Sequence, residues 1–297
     1  MYRKTGNMQR IRTYIPRILN RLGYFNNRIY IRKMKFHGIT WKIPVIDFIG
    51  YGNALGFESE PWIFHLMSRI HLLEKIDYYI DVGVNTGQSL LKIKSIDRDI
   101  PYLGFEPNPN CVFYVDYLIR LNNLGHARII CLGLGNSETL LRLNFEGIED
   151  TRASLLEENK IKNNLVFSKE VPIYQFDKLD LTFIQGENII LKIDVEGFEP
   201  EVLMGASMFV RRNAPIIIFE VLPHLQKQEI IERQENLYTQ LMELNYHIFH
   251  ININYSIKEM TSGFNNESDY TQTDFIAVPE SKYALYNEIS QTMYFQP

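Results

Sequence analysis

Two acidic, glycine-bearing segments stand 113 residues apart in the sequence: D-V-G-V-N-T-G, Asp81 to Gly87, and I-D-V-E-G-F-E, with Asp194 and Glu196 two residues apart. Each follows an apolar run and precedes a helix-like repeat. Both therefore place carboxylates and bare backbone where a strand hands over to a helix. Gly83 and Gly87 let the backbone turn sharply and approach a ligand without a Cβ in the way. The helix behind them offers free N–H groups and the positive end of its dipole. The loop lacks the Gly-Lys-Ser/Thr ending of a phosphate-binding loop and the spacing G-x-G-x-x-G. With no basic residue to hold a phosphate, Asp81 suits a cationic or hydroxyl-rich ligand. The bland alternative is a glycine turn with Asn85 or Thr86 capping the helix. Glu106, in F-E-P-N-P-N, ends the next apolar run about 20 residues on, the offset at which an acid accepts from both ribose hydroxyls. Pro107 and Pro109 stop that strand and fix its exit. Together these residues point to a nucleoside-bearing cofactor.

The elements that must position them alternate. Residues 61–75 read as a helix with Pro61 in its first turn, 76–83 as a buried strand, and 88–96 as a helix. Strand 101–106, helix 108–123 and strand 127–135 follow. Residues 188–195 and 215–222 are long apolar runs, as expected of parallel strands covered on both faces. Helices are expected from E-P-E-V-L-M-G-A and from 228–244. A terminal pair, 245–253 and 273–279, reads as a hairpin adding an antiparallel edge strand. The fold class is α/β, a doubly wound, mostly parallel sheet. Residues 136–187 break the rhythm with two extra strands around a loop, an insertion expected over the C-terminal edge of the sheet, where ligands bind in such folds.

D-V-G-V-N-T-G, F-E-P-N-P, T-R-A-S-L at 151–155 and L-K-I-D-V-E-G-F-E-P-E-V-L-M-G-A resemble the FkbM-type family of S-adenosylmethionine-dependent methyltransferases. The resemblance implies the class I methyltransferase (Rossmann-like) fold with a reversed last strand, and S-adenosylmethionine as cofactor. By resemblance, Asp81, Gly83, Asn85 and Gly87 surround the methionine part of the cofactor, and Glu106, followed by Pro107, holds its ribose. Asn136 stands where the family usually has an acid facing the adenine. Asp194 and Glu196 stand where the acceptor meets the transferable methyl, as base or orienting group; the alternative is that one of them caps the following helix or pairs with Lys192. Thr151, Ser154 and Glu220 are candidate acceptor contacts, and nothing in the spacing demands a metal. The implied reaction is O-methylation of a hydroxyl on a sugar, glycan or related small molecule. A cofactor-binding scaffold without turnover is the alternative from another class.

The composition, 45% hydrophobic and 22% charged over 297 residues, suits a globular protein. Two cysteines are too few for a disulfide framework and fit a reducing, cytoplasmic setting. Residues 1–42 carry eleven Lys/Arg and no acid, which leaves 20 basic against 35 acidic side chains in the remainder. Ile11, Tyr14, Ile15, Ile18, Leu19 and Leu22 recur at helical spacing among arginines, so a basic helical arm able to touch an anionic membrane is expected. A nucleic-acid role is not expected of so acidic a body. The expected organisation is an arm and helical extension over 1–60, a methyltransferase domain over 61–280, and a tail over 281–297.

Overall fold

The computed structural model describes residues 28–145, 167–223, 226–252, 257–264, 273–284 and 286. Strands β1 (Ile29–Phe36) and β2 (Ile39–Ile46) form a hairpin, followed by helices α1 (Tyr51–Leu55) and α2 (Pro61–Leu73). Next come β3 (Tyr78–Val82), α3 (Gln88–Ile96), β4 (Tyr102–Phe105), α4 (Pro109–Leu121), β5 (Ala127–Ile130) and β6 (Gly133–Leu134). The insertion supplies β7 (Thr139–Phe145) and β8 (Phe167–Tyr174). The second half runs β9 (Ile189–Ile193), α5 (Glu199–Gly205), α6 (Ser207–Asn213), β10 (Ile216–Glu220), α7 (Gln228–Glu243), β11 (Tyr246–Ile251), β12 (Ile257–Glu259) and β13 (Asp274–Pro279).

The main sheet has the order β12-β11-β13-β10-β9-β3-β4-β5. Strands β5, β4, β3, β9 and β10 are parallel, and β13 runs antiparallel to both of its neighbours. This is the class I methyltransferase fold, with β12 as an extra edge strand. Y-Y-I-D-V and I-I-L-K-I are buried at every position because helices cover both faces. One core layer packs α2, α3, α4 and the hairpin against residues such as Tyr79, Tyr102 and Ile190. The other packs α5, α6 and α7 against Ile80, Leu103 and Leu191.

Three expectations are corrected. Residues 29–46 of the N-terminal segment belong to the domain as a hairpin rather than to a helical extension. His37 and Gly38 both take positive φ (45° and 80°), which matches the twist of a two-residue hairpin turn. Trp41 and Ile43 are fully buried, and Asn122 at the end of α4 clasps the backbone N–H and carbonyl of Lys42 at 2.9 and 2.8 Å. The expected helix of the arm lies outside the described residues. The terminal hairpin pairs as expected, but β13 inserts between β10 and β11 instead of forming the edge. The domain also runs past 280, since Tyr286 is 1% exposed and packs on Phe249.

Candidate active site

The two motif segments meet at the C-terminal edge of β3 and β9. The Asp194 amide donates to the Val82 carbonyl at 2.9 Å, and the Gly83 amide to the Phe105 carbonyl at 2.9 Å. Gly83 sits at φ +90°, and a Cβ there would stand 1.8 Å from the Asp194 carbonyl oxygen. The backbone crossing itself therefore requires the glycine. Gly87 caps α3 in the left-handed region, against Val115 and Leu118, and makes the turn without reaching a ligand. Neither Asn85 nor Thr86 caps α3 with its side chain.

Glu106 is 7% exposed, and each of its carboxylate oxygens accepts from a backbone amide at 2.8 Å, Oε2 from Asn85 and Oε1 from Asn108. A carboxylate has about four acceptor positions, so two remain for hydroxyl donors. Burial pushes its pKa up to about 7 against the pull of those amides. Beside it opens a cavity of about 730 Å³. Gly83, Asn85, Glu106, Pro107, Asp194 and Glu196 line it, together with the apolar Leu134, Leu143 and Phe198. Leu143 comes from β7, so the insertion supplies part of the wall.

Asp194 Oδ2 accepts from Lys192 Nζ at 2.5 Å, and Glu60 Oε2 stands 4.0 Å from the same ammonium. Burial alone would lower the Lys192 pKa; the Asp194, Glu60 and Asp81 carboxylates outweigh it and hold that pKa well above its ordinary value. Glu199, 3% exposed, accepts from the Val195 and Gly197 amides at 3.0 and 3.2 Å and clamps the loop that carries Glu196. Glu196 itself is held at φ 55°.

The structure thus brings together Gly83, Asn85, Glu106, Pro107, Asp194 and Glu196. Asp81 lies behind the wall: it is fully buried, in register with Lys192, and accepts from the Tyr102 hydroxyl. Side chains alternate along β3, which turns residue 81 into the helix layer below the loop. Asn136 is exposed and off the cavity; its amide nitrogen points at Met204 Sδ (3.7 Å) and its backbone carbonyl accepts from Gln175. Glu220 lies in a second cavity of about 460 Å³ on the far side of the 195–199 loop, with Glu199, Leu222 and Ile230. Thr151 and Ser154 lie outside the described residues. Lys192, Glu199, Phe198 and Leu134 were not singled out from sequence as site residues. Lys192 carries a signal, as the lone cation inside an otherwise apolar strand; Phe198 and Leu134 carry none.

The sequence profile of the methyltransferase FkbM domain matches residues 81–277, from β3 to β13. The chain belongs to this family. S-adenosylmethionine is the cofactor of FkbM methyltransferases and hence of this chain. No curated protein matches the chain significantly. Among solved structures it is similar to a methyltransferase FkbM from Methylobacillus flagellatus KT, with 13% identity and a TM-score of 0.43 over 68% of this chain. The chain spans only 43% of that protein's length. It is also similar to a putative caffeoyl-CoA O-methyltransferase from Staphylococcus aureus, with 13% identity, a TM-score of 0.43, and 77% and 88% of the two chains covered. A third is precorrin-6y C5,15-methyltransferase from Geobacter metallireducens GS-15, with 10% identity, a TM-score of 0.39, and 74% and 93% covered.

The FkbM site fits its cofactor chemically. Asn85 Oδ1 is buried beside the cavity without a hydrogen-bond partner; an ammonium group with three donors suits such an acceptor. Glu106 keeps acceptor capacity for ribose hydroxyls, and Leu134 and Phe198 offer apolar surface to a base. Replacing Glu106 with Gln should weaken S-adenosylmethionine binding roughly 10- to 100-fold, because charge-assisted bonds to the hydroxyls are lost. Isothermal titration checks this, and an affinity within about twofold of wild type would remove Glu106 from the ribose site.

Burial raises several acids here: Asp81 to about 6, Glu106, Glu199 and Asp274 to about 7, and Glu220 to about 9. Each is protonated in the folded protein at pH values where the unfolded chain has already lost that proton. Their contribution is complete below the ordinary carboxylate pKa and is lost as pH rises through the raised values. The melting temperature of cofactor-free protein should therefore fall between about pH 5 and about pH 8. The increase in melting temperature on adding cofactor should be larger at the upper end, where Glu106 is charged. A scanning-fluorimetry pH series with and without S-adenosylmethionine reads both slopes.

Proposed function

We propose that the chain transfers a methyl group to a hydroxyl oxygen of a sugar, glycan or related small molecule. The observation that carries this reading is Asp194: its side chain is 30% exposed at the cavity wall and tied at 2.5 Å to a Lys192 ammonium that is only 3% exposed. S-adenosylmethionine would supply an electrophilic methyl on a sulfonium, its sulfur–methyl bond breaking as the acceptor bonds the methyl and S-adenosylhomocysteine leaves. Lys192 holds one oxygen of Asp194 and leaves the other to accept the hydroxyl proton as the new C–O bond forms. The clamp by Glu199 keeps Glu196 at the cavity, where it orients the acceptor. Rate enhancement then comes from alignment plus proton acceptance.

Carboxylates at this edge also favour oxygen over nitrogen. An amine beside Asp194 and Glu196 is stabilised as its ammonium, with no lone pair to attack; a hydroxyl suffers no such penalty. Cys111 and Cys131 form no disulfide, which fits a cytoplasmic setting. The test is methyl transfer from isotopically labelled S-adenosylmethionine to matched hydroxyl and amine acceptors, alongside mass spectrometry of glycans from cells with and without the protein. Label on hydroxyl oxygen, and glycans lacking one methylene increment in the deletion, are expected. Label found only on nitrogen would overturn the reading.

A further inference from the structure

The hairpin has a second face that the catalytic domain uses only in part: Pro44 and Ile46, opposite Ile31 and Ile29, are buried, while the β1 side stays exposed. Along β1, Tyr30, Met34 and Phe36 turn toward the core, while Ile29, Ile31, Lys33 and Lys35 turn outward and are exposed. The register sets Lys33 opposite Lys42 and Lys35 opposite Thr40, so three lysines share one face with the two isoleucines. Ile29 is 49% exposed and Ile31 is 51% exposed. None of the three lysines has an ion-pair partner among the described residues. The face holds no acid, and the first acid in the sequence is Asp47.

We propose that this face docks the protein on an anionic lipid surface. Charge decides among the candidate occupants. Residues 1–27 carry six Lys/Arg and no acid, so their charge does not complement Lys33, Lys35 and Lys42. A nucleic acid would pair with the lysines but has no use for exposed isoleucines in the same face. An anionic bilayer takes both, with headgroup phosphates at the ammonium groups and the acyl boundary at Ile29 and Ile31. The remaining chain, at 20 basic against 35 acidic side chains, is repelled by such a membrane and leaves this end as the one that can approach. Among the described residues no helix is long and apolar enough to cross a membrane, so the contact is peripheral.

The test uses the full chain with vesicles of neutral lipid alone and of neutral lipid mixed with phosphatidylserine. Binding to the anionic vesicles is expected at low salt and should be lost at high salt. Lys33→Gln/Lys35→Gln/Lys42→Gln should lower the partition coefficient roughly 100-fold, and Ile29→Ser/Ile31→Ser roughly tenfold. Affinity for S-adenosylmethionine should be unchanged in both, which certifies the fold and is independent of which acceptor is methylated. Three outcomes overturn the proposal: equal binding to neutral vesicles, vesicle binding unaffected by either set of changes, or loss of self-association rather than of vesicle binding in the variants.

Discussion

Asp194→Asn is expected to lower kcat about 10²- to 10⁴-fold, the range for losing a positioned proton acceptor, with cofactor affinity within about tenfold of wild type. An asparagine keeps the shape and one carbonyl oxygen but cannot take a proton at neutral pH. The change has a second consequence. Lys192 is only 3% exposed, and its nearest remaining carboxylate, Glu60, stands at 4.0 Å. Breaking a buried pair from one side typically costs about 3–5 kcal/mol, so the melting temperature should also fall. Lys192→Met separates the two effects. It removes the cation and frees the carboxylate, so it should reduce kcat through lost positioning while leaving Asp194 able to accept a proton. Single-turnover rates of both variants, with cofactor binding measured independently, give the answer. If Asp194→Asn reduces single-turnover methylation by less than about tenfold, Asp194 is a structural partner of Lys192 and Glu196 becomes the candidate base.

Gly83→Ala should be the most damaging single methyl group in the chain. Alanine at φ +90° is strained wherever it sits, and here its Cβ would overlap the Asp194 carbonyl at 1.8 Å. That oxygen belongs to the backbone of the second motif and cannot swing aside. The loops must separate, which breaks the Asp194–Val82 bond and opens the cavity between them. A loss of at least about 3 kcal/mol is expected, equivalent to a fall in melting temperature of roughly 6–12 °C for a domain of this size. S-adenosylmethionine binding should be lost with it. Gly38→Ala is the matched control: φ is +80° there, but nothing lies within 4 Å of the added carbon. It should show only the conformational cost, about 1–2 kcal/mol, with cofactor binding intact. Equal effects at the two positions would rule out the loop contact as the reason for the glycine.

Much of the architecture was legible because it depends on local patterns. Fully buried parallel strands are continuous apolar runs, and their helices repeat at 3.6 residues, so most of the alternation from Pro61 to Leu222 follows from periodicity. The hairpin at Ile29–Ile46 escaped because its charges read as part of a basic arm with a helical extension; alternation with period two and the His37-Gly38 turn were the cues. The order of the last strands was not legible either. Periodicity marks β11 and β13 as strands but not which of them reaches β10, since the long connection permits either.

The candidate site divides in the same way. Glycine where backbone must cross, and acids two residues apart at strand ends, are properties of residue type and spacing, so Gly83, Asn85, Glu106, Asp194 and Glu196 could be named from the sequence. Which acid reaches the ligand is a matter of side-chain direction and of what packs behind. Asp81 shares the motif with Gly83, yet the strand pleat turns it onto the Tyr102 hydroxyl. Glu220 ends a neighbouring strand, yet the 195–199 loop stands between it and the cofactor cavity. Lys192 stands out in the sequence only as a cation in an apolar strand, and its role emerges where β9 brings it to Asp194 and Glu60. Local pattern thus determined which elements form and where the chain could do chemistry. Tertiary structure decided which charges face one another, because burial and partner distance depend on residues far apart in the sequence.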